Sequence, residues 1–141
     1  MPTRKAEATW EGTLKGGKGS FKAQTGIGGA YSFVTRFEEE PGSNPEELLA
    51  AAEAACYSMA LSGALERAGH PPTSIKTEAA CTVEKSDLGF TITTMKLVVR
   101  ASVPGIDNDA FQKAAQGTKD GCPVSRALKG NVDIQLDAAL V

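Results

Sequence analysis

Hydrophobic and polar positions alternate along two long stretches of the chain. In residues 74–85, Ile75, Thr77, Ala79, Cys81 and Val83 fall on one face, and Lys76, Glu78, Thr82 and Glu84 on the other. In residues 90–103 the apolar face holds Met95, Leu97, Val99, Ala101 and Val103. A period of two predicts strands. Asp87-Leu88-Gly89 between them predicts a turn, so the two read as an antiparallel pair. Shorter runs tell a similar story. Residues 6–14 and 20–24 read as a hairpin about Gly16-Gly17-Lys18-Gly19. Gly26, Gly28 and Gly29 mark a loop, and residues 31–37 read as a third strand with Tyr31, Phe33, Thr35 and Phe37 on one face. Residues 132–136 read as a final strand.

The period changes after Pro41-Gly42-Ser43. Asn44 suits an N-cap, Pro45 the first helical position, and Glu47 the acidic arm of a capping box. A helix over residues 45–68 follows, closed by Gly69 and Pro71-Pro72. It is Ala-rich nearly all round, which predicts a central, mostly buried helix. Residues 107–119 read as a second helix, and Gly121-Cys122-Pro123 opens a short third one through Leu128. Strands cluster as hairpins rather than alternating with helices. The expected class is therefore α+β with an antiparallel sheet, in a single domain over residues 1–141.

Composition narrows the function classes. The chain has 141 residues, 41% hydrophobic and 23% charged, which is enough to bury a core without disulfides. A net charge of −2 leaves no basic footprint for nucleic acid. The longest nearly uncharged run, residues 48–65, contains Glu53, Ser58 and Ser62, so no segment is expected to span a bilayer and no membrane partner is expected. The amino terminus shows no apolar signal segment. Three cysteines, an odd count, then lead to the expectation of reduced thiols in a cytoplasmic protein.

Candidate chemistry rests on those cysteines. The one histidine, His70, lies 14 residues past Cys56, about 21 Å along a continuous helix, which disfavours a Cys–His dyad within one chain. No spacing of cysteine and histidine matches a zinc site, and no Gly-rich loop joins a strand to a helix. Cys81, on an apolar strand face, reads as a packing residue. Cys56, among Ala54, Ala55, Met59 and Ala60, reads by itself as a small core residue with a raised pKa, inert unless a cation stands nearby. Cys122 sits just before Pro123, where a helix N-terminus favours a thiolate; a plain turn between two helices reads equally well.

Several motifs together resemble the OsmC/Ohr family of hydroperoxide-reducing proteins. They are Asn44-Pro45-Glu46-Glu47-Leu48, Ala54-Ala55-Cys56 and Gly121-Cys122-Pro123-Val124-Ser125. Trp10-Glu11-Gly12, Lys15-Gly16-Gly17-Lys18-Gly19 and Thr35-Arg36-Phe37-Glu38 are similar to the OsmC branch in particular. The resemblance implies an intertwined homodimer, with antiparallel sheets wrapped around the long helix and a second helix, and active sites shared between subunits. It implies a two-cysteine thiol peroxidase acting on organic hydroperoxides, and more weakly on hydrogen peroxide, in oxidative or osmotic stress. The reactive cysteine falls on Cys56, the resolving cysteine on Cys122, the family's arginine on Arg36 and its acidic partner on Glu46. No metal or other cofactor is implied, only an external dithiol reductant of lipoyl or thioredoxin type. Two other readings remain: a non-catalytic stress-induced dimer, and a thiol redox sensor. By spacing alone, Glu46 and Cys56 stand about 15 Å apart along one helix, so an arginine held by Glu46 more naturally serves a partner's cysteine.

Overall fold

The computed structural model describes all 141 residues, and the chain divides into two compact units, Met1–Glu47 and Leu48–Val141. In the first unit, β1 (Ala6–Glu11), β2 (Lys18–Ala23) and β3 (Gly28–Tyr31) form an antiparallel sheet in that order. Gly19 pairs with both Trp10 and Tyr31 across the sheet, whose rings lie 5.6 Å apart. A Cβ at Gly19 would come within 2.6 to 2.7 Å of both rings, so only glycine fits between them.

The predicted strand over residues 31–37 is corrected here. It splits, and only Tyr31 remains in β3; Phe33–Phe37 form a short helix, α1. The cause is local hydrogen bonding. Extended Ser32 accepts from the Thr35 N–H, and the Thr35 hydroxyl accepts from the Ser32 N–H, a reciprocal capping box. Phe33 and Phe37, four apart, then stack with centroids 5.2 Å apart. A spacing of four satisfies a strand pattern and a helix pattern equally, and the cap decides between them.

The long helix α2 (Pro45–Arg67) starts as expected: the Asn44 side-chain oxygen accepts from the Glu47 N–H at 2.8 Å. It stops at Gly69, with φ +87, where His70 N–H donates to the Leu65 carbonyl and Gly69 N–H to the Glu66 carbonyl. Two expectations about α2 fail. It is not mostly buried: in the second unit it buries one stripe, Glu53, Tyr57, Leu61 and Leu65, while Ala51, Ala52, Ala55 and Met59 are exposed. By length and composition alone it is also apolar enough to cross a membrane, against the expectation that no segment would be. Alanine raises hydropathy without creating a need to be covered, and the large side chains Tyr57, Leu61 and Leu65 lie on the packed stripe.

That stripe packs with β5 (Gly89–Ser102), which presents Met95, Leu97, Val99 and Ala101 on one face, and with Phe111 and Ala115 of α3 (Asn108–Gly121). Each large side chain so buried contributes about 1.5–3 kcal/mol. Asp107 caps α3 by accepting from the Ala110 N–H, and the Tyr57 hydroxyl donates to the Ala115 carbonyl at 2.9 Å. β4 (Ser74–Ser86) pairs antiparallel with β5, as predicted. The final strand differs. β6 (Asp133–Leu140) is longer than predicted and pairs parallel to β5, so the second sheet, in the order β4-β5-β6, is mixed. A parallel neighbour needs a crossover, and α3 with α4 (Pro123–Leu128) supplies it.

Candidate functional site

Cys122 is fixed by two helices at once: it ends α3 and starts α4. Its N–H donates to the Thr118 carbonyl and its carbonyl accepts from the Arg126 N–H, both at 2.9 Å. Pro123, with its preset φ and missing N–H, takes the first position of α4. The Cys122 side chain makes no capping bond. It is only 1% exposed and its thiol donates to Cys56 Sγ across 2.9 Å. Two residues 66 positions apart in sequence thus bring their sulfurs into contact, without a disulfide between them.

Burial pushes the Cys56 thiol above its ordinary value of 9.0. The contact with the Cys122 thiol, and repulsion of a Cys56 thiolate by negative charge at Cys122 or Glu53, push the same way. One group opposes them: the backbone N–H of Val124 donates to Cys56 and favours the thiolate. The polarity of α4 therefore reaches Cys56, where the sequence pointed to Cys122. No cation acts on Cys56 from within residues 48–141.

Sequence reading missed a second contact beside the thiols. Glu53, fully buried, accepts a hydrogen bond from the hydroxyl of Ser125, itself 2% exposed. The other carboxyl oxygen of Glu53 has no partner. Glu53 is the one charged residue in an otherwise uncharged run and precedes Cys56 by three; Ser125 follows Cys122 by three. That matched spacing was the available signal.

Arg36 and Glu46 form the other pair, in the first unit. Arg36 lies in the last turn of α1 and Glu46 in the first turn of α2. The Arg36 Nε donates to Glu46 Oε1 at 3.1 Å and Oε2 at 3.3 Å, and Nη2 donates to Oε1 at 3.0 Å. Glu46 is buried, whereas Arg36 keeps 35% of its side chain exposed and lies over the Phe37 ring. Such a pair orients a guanidinium while leaving it accessible. The Asn44 side chain, donating to the Thr35 carbonyl, fastens α1 to the segment that carries Glu46. The four predicted site residues thus come together as two pairs, each within one unit. Cys81 is half-buried on β4, packed against the core as its strand face predicts.

A groove of about 560 Å³ also opens beside Cys122. Ala60, Ala64, Ala114 and Gly117 line it, with Arg67 and Lys113 among the remaining lining residues.

Comparison with known proteins adds the following. A family model described as OsmC-like protein matches residues 38–137. The chain is 48% identical over 133 residues to peroxiredoxin OsmC of Escherichia coli (strain K12), covering 93% of each chain. It is 35% identical over 101 residues to organic hydroperoxide resistance protein OhrB of Bacillus subtilis (strain 168), covering 71% of this chain and 72% of that one. It superposes on the crystal structure of Bacillus subtilis OhrB with a TM-score of 0.74 at 25% identity, covering 96% of this chain and 98% of that one.

Proposed function

Because the chain belongs to the OsmC-like family, we propose that it is a thiol peroxidase that reduces organic hydroperoxides to alcohols with two cysteines. The observation that carries this reading is the 2.9 Å contact between Cys56 and Cys122. The names of its relatives, peroxiredoxin and organic hydroperoxide resistance protein, support the same class of activity. Cys56 thiolate attacks the peroxide, the O–O bond breaks, and the alcohol leaves as Cys56 becomes a sulfenic acid. Cys122 then condenses with it, releasing water and leaving a disulfide. An external dithiol restores both thiols by exchange. The alanine-lined groove beside Cys122 suits an apolar organic chain better than it suits hydrogen peroxide.

A peroxidase needs its thiolate at neutral pH, and the surroundings of Cys56 in its own unit work against that. The Arg36 guanidinium, oriented by Glu46, is the positive group we assign to the task, stabilising the thiolate and the departing alkoxide. The Glu46–Cys56 spacing on one unbroken helix favours delivery across a homodimer. The exposed small residues of α2, Ala51, Ala52 and Ala55, allow a close approach of a second copy. Residues 1–141 act together as one functional domain in this scheme.

The test is thiol titration before and after one equivalent of cumene hydroperoxide. Two thiols per chain should disappear, and repeated turnover with a dithiol separates a peroxidase from a one-shot sensor. Cys56→Ser should abolish turnover and Cys81→Ser should leave it nearly intact. Equal loss in both variants overturns the assignment.

A further inference from the structure

The Glu53–Ser125 contact has no part in the scheme above, and packing alone does not account for it. A fully buried carboxyl group with one oxygen unpartnered costs about 1–3 kcal/mol relative to a satisfied one. An apolar side chain of similar volume would fill the same space without that penalty. What the pair does have is a position. Glu53 and Cys56 lie three apart on α2, and Cys122 and Ser125 lie three apart at the start of α4. Three residues is close to one helical turn, so each pair shares a helix face. The Ser125-to-Glu53 hydrogen bond and the Cys122-to-Cys56 contact are therefore two adjacent rungs joining the same two helices. α4 has only six residues, too few to hold its own start in place.

We propose that Glu53 and Ser125 are positioning residues for disulfide formation: their hydrogen bond holds the first turn of α4 so that the Cys122 thiol meets Cys56 once Cys56 is oxidised. This rests on the peroxidase reading. In the step concerned, the sulfenic S–O bond of Cys56 breaks and an S–S bond to Cys122 forms. The hydroxide leaves with the Cys122 proton as water, and no further oxidant is consumed. Peroxide attack uses Cys56, not Cys122, and does not need the rung. The pair therefore governs the second step relative to the first. That ratio decides whether the sulfenic acid is resolved or oxidised further.

The experiment follows both steps in the full-length protein by rapid-quench mass spectrometry after addition of cumene hydroperoxide. Ser125→Ala removes the donor. It should form the Cys56 sulfenic acid within about twofold of the wild-type rate but form the disulfide about tenfold more slowly, as expected for loss of one buried hydrogen bond. Dimedone adduct and sulfinic acid should rise accordingly. Glu53→Leu removes the acceptor while filling the space, and should slow disulfide formation equally. It also decides the question if Ser125→Ala does not fold. Glu53→Gln, whose amide oxygen still accepts from Ser125, should restore most of the disulfide rate relative to Glu53→Leu. Removing the Glu53 charge should also move the pH profile of Cys56 alkylation to lower pH, because that charge raises the Cys56 pKa. Disulfide formation at the wild-type rate in either rung-breaking variant overturns the proposal, as does equal slowing of both steps. Diamide, which oxidises the pair without peroxide, keeps the two readings apart. If cumene hydroperoxide yields no sulfenic acid in the wild type, the peroxidase reading fails. In that case a tenfold slower diamide-driven disulfide in Ser125→Ala still upholds the rung, and an unchanged rate sinks it.

Discussion

Residues 48–141 and residues 1–47 hold their functional groups in place by different physics. In the longer unit Cys122 is buried and meets the half-buried Cys56, and the unit has a core of fully buried large side chains, Tyr57, Leu61, Leu65, Met95, Leu97, Val99 and Phe111 among them. In the shorter unit only Gly19 and Glu46 are buried, and neither brings a large apolar side chain. Arg36 is held by a capping box, an aromatic stack and one ion pair. Packing resists displacement through many contacts at once, whereas a cap and an ion pair give way one bond at a time. The thiol we assign as nucleophile thus stands in a unit with a packed core, and the charge we assign to it is carried on a lighter mount. Substitutions in the two units should accordingly fail in different ways.

The largest effect should come from the core. Leu97→Ala should lower the unfolding free energy by about 2–5 kcal/mol in urea titrations. Leu14→Ala, in the first unit and 64% exposed, should cost less than about 0.5 kcal/mol. Comparable losses at the two sites would erase the distinction between the units. Next comes Arg36→Ala. Stability should fall by about 1–3 kcal/mol, because the buried Glu46 carboxylate loses its partner, and peroxide turnover should fall by about a hundredfold, as for the loss of one preorganised donor to developing negative charge. Cys56 alkylation should move to higher pH. Arg36→Lys should rescue only in part, since a point charge lacks the planar fork that Glu46 holds. Mixing Arg36→Ala and Cys56→Ser chains sharpens the point. If arginine and cysteine come from different subunits, the heterodimer regains one intact site. If they come from the same subunit, no activity returns.

The smallest effect is in alkaline stability. The folded state holds Cys56, and also Tyr57, protonated to higher pH than the ordinary side chains, burial being the first cause for both. Both groups therefore add stability that is complete below the ordinary thiol pKa of 9.0. It is lost as the pH rises through the raised folded values. Unfolding free energy should fall gently above about pH 9, and Cys56→Ala should flatten the first part of that fall. A wild-type profile that is flat or rising above pH 9 would contradict the burial argument.

Much of the fold was legible because it rests on local rules. The alternation in β4 and β5, the Asn44 cap and the Gly69 stop all act within a few residues, and the observed elements follow them. The misreadings came where one pattern served two structures or where the answer lay outside the segment. Phe33 and Phe37 fit either a strand or a helix until the Ser32–Thr35 cap is considered. The parallel direction of β6 is set by a crossover that no period in residues 132–136 can encode. At the site, Cys56 and Cys122 were legible through motifs matched over much of the chain. Glu53 was not, because as a sequence feature it only interrupts an apolar run. Its meaning depends on Ser125, which lies 72 residues away.

The parallel pairing of β5 and β6 also sets an order in time. Cys122 lies on the crossover between those strands, 66 residues after Cys56. At a synthesis rate of about 5–20 residues per second, Cys56 leaves the ribosome roughly 3–13 s before its partner does. The Cys122 side is then fixed only when β6 closes against β5, the kind of long-range pairing that forms slowly because chain entropy is lost before contacts repay it. A nascent chain therefore carries the first sulfur for seconds without the second.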